Sequence, residues 1–257
     1  MGTKEDNIAV FDTGVGGISV LRHLVDVMPG ERFLYFGDSA NAPYGSRSTE
    51  EVRQLTLDGA AFLLEHYPLK ALVIACNTAT AAAVRQVREK YPDLIVIGIE
   101  PALKVAADHF PGGRIGVMAT EVTLREEKFD LLLHRFDREC TITKIPAPGL
   151  VQLVEQGKVD HPETDGLLHS ILDPYVGQLD ALVLGCTHYP FAAAAIGRVL
   201  GPGVTLLEGG DGTARETRRR LELAGLLEQG EGEVKIINSS PDPGMIRLSY
   251  ERLYQGR

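Results

Sequence analysis

Ala71-Leu-Val-Ile-Ala-Cys76-Asn-Thr78 returns in closely similar form 110 positions later (71 to 181) as Ala181-Leu-Val-Leu-Gly-Cys186-Thr-His188. Each phrase is a short apolar run, typical of a strand buried on both faces of a parallel sheet, followed by a cysteine and polar residues. A second pair, Ile8-Ala-Val-Phe-Asp12-Thr13 and Ile115-Gly-Val-Met-Ala119-Thr120, repeats at an offset of 107 (8 to 115). Two matches at nearly one offset indicate a duplicated α/β unit.

Nine short apolar runs predict buried strands, and the segments between them show the apolar spacing of helices. The clearest helix begins at Ser48, where Glu51 completes a capping box, and further helices are predicted over residues 122–136, 163–179 and 212–223. Alternating strands and helices indicate an α/β protein with largely parallel sheets and helices on both faces. The predicted strands are Ile8–Phe11, Phe33–Phe36, Leu69–Ala75, Leu94–Ile99, Ile115–Ala119, Thr141–Ile145, Leu182–Gly185, Val204–Leu207 and Val234–Ile237.

The repeat divides the chain into two pseudo-symmetric α/β domains of ordinary size. We expect the first domain to comprise residues 1–98 together with 207–257, and the second to comprise residues 99–206. The segment after Leu206 has no counterpart in the repeat, so we expect it to pack back onto the first domain. A cleft between two such domains is a natural ligand site, and we expect the active site there.

Composition is that of an ordinary globular protein and argues against several functions. Of the 257 residues, 44% are hydrophobic and 24% are charged, and no apolar run approaches the length of a membrane-spanning helix. The net charge is −9, and the basic cluster Arg218-Arg219-Arg220 alternates with acidic residues, so no nucleic-acid partner is expected. Three widely spaced cysteines fit reduced thiols in a cytoplasmic protein better than disulfides.

Cys76 and Cys186 each end a predicted buried strand and precede a helix. Ligands gather at this carboxyl edge of parallel sheets, and the N-terminus of a helix favours anions and lowers the pKa of a nearby thiol. A buried cysteine is commonly a small core residue. Two cysteines at duplicated strand ends, each beside polar residues, instead favour a catalytic pair. Cys140 lies at a helix-to-strand junction without such neighbours, and we predict a structural role for it.

Two further polar turns follow predicted strands. The turn Asp12-Thr-Gly-Val-Gly-Gly17 allows close backbone approach to a ligand, and its first residue is either a helix N-cap or a functional carboxylate. Its Asp-Thr-Gly start also occurs in sugar-kinase-like ATPases, so phosphate binding stays open for this turn. The turn Asp38-Ser-Ala-Asn-Ala-Pro43-Tyr44-Gly45 is either plain turn chemistry or a wall that presents backbone N–H groups and Tyr44 to a ligand.

His188 lies two residues after Cys186, close enough in a turn to relay a proton or to pair with a thiolate. Cys-x-His alone is too sparse for zinc, and no further cluster of cysteine and histidine supplies the missing ligands, so no metal is expected. No lysine occurs in any of these loops. Pyridoxal chemistry needs a Schiff-base lysine, so we expect a reaction that uses no cofactor.

Five motifs together carry a family resemblance, and in their order along the chain they resemble the glutamate racemases. These are the bacterial, cofactor-independent enzymes of the aspartate/glutamate racemase superfamily. The resemblance extends from about residue 8 to about residue 210, and the segment that follows adds little to it. The motifs are Phe11-Asp-Thr-Gly-Val-Gly-Gly17, Tyr35-Phe-Gly-Asp38, Pro43-Tyr-Gly45, Ala75-Cys-Asn-Thr-Ala-Thr80 and Leu184-Gly-Cys-Thr-His-Tyr-Pro190.

The resemblance implies two pseudo-symmetric domains that enclose glutamate, and racemisation by two bases that supplies D-glutamate for peptidoglycan. It implies that one of Cys76 and Cys186 removes the α-proton and that the other reprotonates the opposite face. By motif position, Asp12 accompanies the first cysteine, and His188 accompanies the second, oriented by Glu155. The substrate-binding residues that it implies are Asp12, Thr13, Pro43, Tyr44, Gly45, Asn77, Thr78, Thr120, Thr123, Thr187 and His188.

Thr13 stands where many members of the family carry serine, and because it keeps the hydroxyl we expect binding to be retained. Three alternatives stay open: a related enzyme acting on aspartate or another acid, an ATP-dependent phosphotransferase, and a non-catalytic amino-acid-binding module. Single-thiol relatives such as decarboxylases are disfavoured, because they need only one proton donor. We expect a small-molecule substrate and no membrane partner. The sequence leaves open whether the chain forms a homodimer.

Overall fold

The computed structural model describes residues 2–136 and 139–255. Over these residues strands alternate with helices, and every strand pairing is parallel. The strands are β1 Asn7–Asp12, β2 Arg32–Gly37, β3 Leu69–Ile74, β4 Ile95–Gly98, β5 Arg114–Ala119, β6 Thr141–Pro146, β7 Ala181–Leu184, β8 Thr205–Glu208 and β9 Glu233–Asn238. The helices are α1 Ile18–Val27, α2 Thr49–His66, α3 Asn77–Lys90, α4 Leu103–His109, α5 Glu121–Arg125, α6 Glu127–His134, α7 Leu150–Glu155, α8 Pro162–Leu172, α9 Ala193–Leu200, α10 Gly210–Leu223 and α11 Pro243–Tyr254.

The chain divides into two compact units, Met1–Glu100 with Gly210–Arg257, and Pro101–Gly209. The first unit holds a sheet in the order β4-β3-β1-β2-β9, and the second holds a sheet in the order β6-β5-β7-β8. Read from its other edge, the first sheet runs β9-β2-β1-β3-β4, so β1 to β4 occupy the places that β5 to β8 occupy in the second. The two sheets share one topology, and β9 is an addition at the β2 edge of the first.

The strand register repeats together with the strand order. In the first unit Ile8 pairs with Ala71, and in the second Ile115 pairs with Ala181. These four residues begin the two pairs of repeated phrases, so equal positions in the sequence repeat are equal positions in the sheets. The turns that follow β3 and β7 therefore lie at equivalent points, each at the carboxyl end of an inner strand.

The inner strands are buried, as expected where a parallel sheet is covered on both faces. Every residue of β3 and of β7 is buried, and this includes the charged residue Lys70. Its Nζ atom lies 2.6 Å from Oε2 of Glu31 and donates to the carbonyl of Leu226 at 3.1 Å. The backbone N–H of Glu228 donates to the other carboxylate oxygen of Glu31 at 2.9 Å. This buried ion pair ties the segment after α10 to the edge of the sheet where β2 and β3 begin.

The α/β architecture with parallel sheets and all nine predicted strands are confirmed, but two predicted helices are shorter than expected. The helix predicted over 122–136 is two helices, because Glu126 has extended backbone (φ −71°, ψ 134°) and separates α5 from α6. The helix predicted over 163–179 ends at Leu172, and a 3₁₀ turn that contains Pro174 follows. Proline lacks the N–H that would continue the helix. Over the described residues, no helix is long and apolar enough to cross a membrane.

Candidate active site

Cys76 lies between the end of β3 and the first residue of α3, where it is the N-cap residue. The backbone N–H of Ala79 donates to its sulfur at 3.4 Å, and the residue is buried, with 6% of its surface exposed. The sulfur thus receives one of the N–H groups that a helix leaves free in its first turn. A helix N-terminus stabilises negative charge, so this position favours the thiolate form of a cysteine.

Asp12 ends β1, the strand next to β3, and its side chain is fully buried. The N–H of Gly14 donates to its Oδ2 atom at 3.1 Å. Gly17 packs against the same carboxylate: a Cβ atom there would lie 2.6 Å from Cβ of Asp12 and 3.1 Å from Cβ of Ala75. The glycine turn that follows β1 therefore leaves room for a buried carboxylate at the strand end. Thr13, the next residue, is also buried.

Tyr44 belongs to the turn that follows β2 and is buried, whereas its neighbours Pro43 and Gly45 are half-buried. Its hydroxyl donates to Oδ2 of Asp38 at 2.6 Å. Burial, this hydrogen bond and the nearby negative groups of Asp38, Cys76 and Asp12 all raise the pKa of Tyr44 far above its ordinary value. The hydroxyl therefore stays protonated and donates. The influence of Cys76 and Asp12 on the pKa of Tyr44 also means that the three side chains share one neighbourhood.

Asn77 and Thr78 form the first turn of α3 and are both buried. Within the described part of the chain, Oδ1 of Asn77 is buried and accepts no hydrogen bond. An unpaired buried acceptor costs free energy, on the order of 1–3 kcal/mol. Such an atom at a strand end is suited to accept a hydrogen bond from a ligand.

The second unit brings together a cysteine, a histidine and a glutamate. Nδ1 of His188 lies 3.7 Å from Sγ of Cys186, and Nε2 of His188 lies 2.6 Å from Oε1 of Glu155, at the end of α7. Cys186 and His188 are buried, and Glu155 is half-buried. The imidazole of His188 thus contacts the thiol of Cys186 through one ring nitrogen and the carboxylate of Glu155 through the other. The resemblance to the glutamate racemases implied that Glu155, 33 residues before the histidine, orients His188, and the two side chains are in contact.

Burial on its own would lower the pKa of His188. The hydrogen bonds to Cys186 and Glu155, together with the charges of the two groups, outweigh burial and raise the pKa well above its ordinary value. The imidazolium form is therefore favoured near neutral pH. Tyr189, the next residue, is also buried; burial and the negative charge of Cys186 raise its pKa. Its hydroxyl donates to the carbonyl of Ala147 at 3.3 Å.

Three threonines lie at the carboxyl ends of β5 and β7. Thr120 caps α5, because its hydroxyl oxygen accepts the N–H of Thr123 at 3.3 Å, and the two hydroxyl oxygens lie 2.9 Å apart. Thr187 is buried between Cys186 and His188. These hydroxyls have the donor and acceptor capacity to bind a small polar ligand.

The sequence repeat makes the differences between the two sites explicit. Thr13 and Thr120 are equivalent, as are the two cysteines. Asp12, by contrast, is matched by Ala119, and Thr78 is matched by His188. The first cysteine therefore has a buried carboxylate on the neighbouring strand, whereas the second has an imidazole within its own turn.

Asp38 is the residue that sequence reasoning did not assign to a site. It is buried, and its carboxylate accepts the hydroxyl of Tyr44 at 2.6 Å. Nδ2 of Asn41 donates to both oxygens of the same carboxylate, at 3.0 and 3.1 Å. Its position directly after a buried strand was the available signal. Among the residues that the structure describes, no three histidine, cysteine, aspartate or glutamate side chains are grouped so that they could hold a metal ion.

Comparison with known proteins gives concordant matches over nearly the whole chain. A family model described as Asp/Glu/Hydantoin racemase matches residues 16–217. The glutamate racemase of Clostridium acetobutylicum is 44% identical over 256 residues, covering 98% of this chain and 99% of that protein.

Solved structures agree with the sequence comparison. Glutamate racemase from Thermus thermophilus, in complex with beta-chloro-D-alanine, has a TM-score of 0.83 at 38% identity and covers 98% of this chain and 94% of its own. Glutamate racemase from Escherichia coli, in complex with L-glutamate and the activator UDP-MurNAc-ala, has a TM-score of 0.85 at 30% identity. The match covers 97% of this chain and 95% of the E. coli chain. The chain therefore belongs to the Asp/Glu/hydantoin racemase family, and it is a racemase rather than a phosphotransferase.

Proposed function

We propose that this protein interconverts L-glutamate and D-glutamate without a cofactor, and that Cys76 and Cys186 are its two acid–base catalysts. The observation that carries the proposal is the equivalence of the two cysteines, since each is buried and follows an inner strand of one repeated topology. Membership of a racemase family supports the proposal. The relatives described above support glutamate as the substrate, because they are glutamate racemases.

In two-base racemisation, a base on one face of the α-carbon removes the proton and an acid on the other face supplies one. The thiolate of one cysteine takes the α-proton, and the electron pair of the C–H bond stays on the substrate as a carbanion delocalised into the α-carboxylate. The thiol of the other cysteine then donates its proton to the opposite face and becomes a thiolate. The two sulfur atoms have exchanged protonation states at the end of the turnover, and the reverse reaction restores them.

The α-proton of an amino acid is very weakly acidic, and an ordinary thiol has a pKa of about 8.5, so the protein has to stabilise the carbanion. Buried hydroxyl and backbone N–H donors are already oriented and need no reorganisation during the reaction. We assign Thr13, Thr78, Thr120, Thr123 and Thr187 this role toward the carboxylates of glutamate.

The remaining binding residues lie in the first unit. The unpaired Oδ1 atom of Asn77 supports this residue as an acceptor for the α-ammonium group. Pro43, Tyr44 and Gly45 form the wall that limits the site, and the Tyr44 hydroxyl is directed by Asp38.

The two cysteines have different ionisable neighbours, and these neighbours give the two thiols different acid and base strengths. Asp12 ends the strand next to β3, and a carboxylate there opposes the effect of the helix N-terminus on Cys76, which makes the Cys76 thiolate a stronger base. His188 is favoured as a cation beside Cys186, which stabilises the thiolate there. We propose that these two neighbours tune one cysteine for each direction of proton transfer, with Glu155 orienting His188.

The product D-glutamate is the amino acid that peptidoglycan synthesis consumes, and we propose that supplying it in the cytoplasm for cell-wall formation and cell shape is the physiological role. The E. coli relative is described with an activator that contains a muramic-acid derivative, UDP-MurNAc-ala. That activator links the relative's regulation to cell-wall precursors and supports the same role for this chain.

Incubation of the protein with L-glutamate in D₂O, with no added cofactor, tests the activity directly. We expect the circular dichroism signal of glutamate to decay to zero while deuterium enters the α-position. Early in the reaction, deuterium is expected in the D-product and not in the remaining L-substrate, because the proton donor is a thiol that has exchanged with solvent. The same assay started from D-glutamate gives the mirror-image result.

The outcomes of this assay separate the remaining alternatives. Unchanged optical activity without deuterium uptake would leave a binding module and would overturn the racemase proposal. Early deuterium in the recovered substrate would indicate a single base that serves both faces. A parallel reaction with L-aspartate decides the substrate, because faster racemisation of aspartate would replace glutamate in the proposal.

A further inference from the structure

The end of β9 and the turn that follows it, residues 238–240, contact the segment that carries Tyr44. We call residues 38–47 the Tyr44 loop. Nδ2 of Asn238 donates to Oγ of Ser39 at 2.9 Å, and Oγ of Ser239 accepts the backbone N–H of Ala40 at 3.0 Å. The turn thus holds the start of the Tyr44 loop through one side-chain donor and one side-chain acceptor.

Contacts inside the Tyr44 loop carry this constraint to Tyr44. Asn41 donates to the carboxylate of Asp38, which also accepts the hydroxyl of Tyr44. The guanidinium group of Arg47 donates to the carbonyl of Asn41 at 2.8 and 3.0 Å. A shift of residues 39–41 would therefore displace the acceptor that fixes the Tyr44 hydroxyl.

The backbone also determines where this turn lies. Gly37, the last residue of β2, pairs with Asn238, the last residue of β9, and the N–H of Ser239 donates to the carbonyl of Gly37 at 3.0 Å. A Cβ atom at Gly37 would lie 2.9 Å from Nδ2 of Asn238 and 2.5 Å from the carbonyl oxygen of Gly14. The two strand ends are thus in close contact. The strand β9 and the turn that follows it lie beyond residues 16–217, the part of the chain that matches the family model.

We propose that Asn238 and Ser239 are positioning residues that hold the Tyr44 loop in its substrate-binding conformation. The strand β9 has no counterpart among the described residues of the second unit, and holding the Tyr44 loop gives it a function beyond covering the edge of the sheet. The proposal rests on the proposed function in one respect, because the Tyr44 loop is taken to contact glutamate.

Ser239→Ala is the first test, because this side chain is exposed and its loss removes little packing. Ser240→Ala is the matched control: its hydroxyl oxygen accepts the N–H of Asp242 at 3.2 Å, so that hydrogen bond stays within the C-terminal segment. We expect Ser239→Ala to raise KM for both glutamate enantiomers by roughly 3- to 10-fold with kcat changed less than about twofold, the effect of one lost hydrogen bond that positions a binding loop. Ser239→Thr keeps the acceptor and is expected to restore the original KM.

A second measurement does not depend on catalysis. Hydrogen–deuterium exchange of a peptide that covers residues 38–47 is expected to accelerate in Ser239→Ala and in Asn238→Ala but not in Ser240→Ala, because the Tyr44 loop opens more often. Ser39→Ala combined with Asn238→Ala is expected to have less than the additive effect on KM, because both remove the same hydrogen bond.

The results decide the two proposals separately. If the unaltered protein does not racemise glutamate, the proposed function fails, and the exchange measurement still decides whether the turn holds the loop. If the unaltered protein is active, while Ser239→Ala and Asn238→Ala retain both its KM and its exchange rate, the positioning proposal is overturned. The proposal would also be overturned if Ser239→Ala, Asn238→Ala and Ser240→Ala all lost thermal stability to the same extent while KM stayed unchanged.

Discussion

Nε2 of His188 lies 2.6 Å from Oε1 of Glu155, so the imidazole that faces Cys186 is held by a carboxylate on its other side. This arrangement fixes the orientation of the ring and favours its cationic form. We expect Glu155→Gln to lower kcat by roughly one to two orders of magnitude, less than the whole contribution of a general acid–base group. The substitution also removes a charge that raises the pKa of His188, so the limb of the pH–rate profile governed by this residue should move to lower pH.

Glu163→Gln is the matched control for this prediction, since Glu163 is exposed in the same unit and pairs with Lys158. It should leave both kcat and the pH profile unchanged. An unaltered profile in Glu155→Gln together with the same kcat as the control would show that the carboxylate does not orient the imidazole during catalysis.

The raised pKa of His188 also makes the stability of the protein depend on pH. The folded protein holds a proton on this residue at pH values where the unfolded chain has released it, since an unfolded histidine has a pKa of about 6.5. The stabilisation is therefore complete below that value and is lost as the pH rises through the raised pKa of the folded state. Urea unfolding at a series of pH values should show that the stability advantage of the unaltered protein over His188→Asn shrinks toward alkaline pH.

An advantage that grows with pH would contradict the direction of the shift. His169→Asn supplies the background for this comparison, because it replaces an exposed histidine of the same unit.

The sequence repeat predicted the sheets well because fully apolar runs leave little choice of structure. All nine strands form, and the repeated phrases lie at equal register, since a slip of one residue would turn every buried side chain of a strand to the other face. The helix over 122–136 was predicted too long, because apolar spacing alone does not show the extended backbone at Glu126. The buried pair of Lys70 and Glu31 was also beyond prediction, as single charged residues give no sign of a distant partner.

The candidate site was predicted to a similar extent and for a similar reason. Cys76 and Cys186 stand out because they repeat, and His188 stands out because it follows a cysteine. Contacts between distant segments were not accessible in this way: Ser239 accepts the N–H of Ala40 only because the turns after β2 and β9 meet. A strand pattern shows that β9 is a strand, but its partner β2 is set by packing across a sequence separation of 201 residues (32 to 233).

The two cysteines that we propose as catalysts should be separable from the third by substitution. We expect Cys76→Ala and Cys186→Ala each to lower kcat/KM in both directions by at least about 10³-fold, because each removes a required proton donor and acceptor. Cys140→Ala is the matched control, since Cys140 is equally buried and its thiol donates to the carbonyl of Phe110 at 3.4 Å. That variant should keep its activity. Racemisation at the original rate in either of the first two variants would exclude the two-base scheme.

Gly17 tests whether the exact place of the Asp12 carboxylate matters to Cys76. The backbone of Gly17 has ordinary helical angles (φ −63°, ψ −8°), so alanine there meets no backbone strain. Its Cβ atom, however, would lie 2.6 and 2.9 Å from Cβ and Cγ of Asp12, and the carboxylate would have to move. We expect Gly17→Ala to lower the free energy of unfolding by about 1–3 kcal/mol, as overpacking does. We also expect it to lower kcat more than it raises KM, because we propose that Asp12 tunes Cys76 for proton transfer.

Gly212→Ala is the matched control for Gly17→Ala, since both glycines lie in the first unit. Apart from the adjacent residues and the backbone of α10 itself, a Cβ at Gly212 meets no atom of the described residues within 4 Å. That substitution should stabilise the protein by about 0.4–1 kcal/mol, because alanine loses less conformational freedom on folding than glycine. Its racemisation rate should stay unchanged. Denaturant unfolding and steady-state kinetics of the two variants measure both effects. A Gly17→Ala variant that is destabilised but keeps the original kcat would contradict this prediction. Proton transfer at Cys76 would then not depend on the exact position of the Asp12 carboxylate.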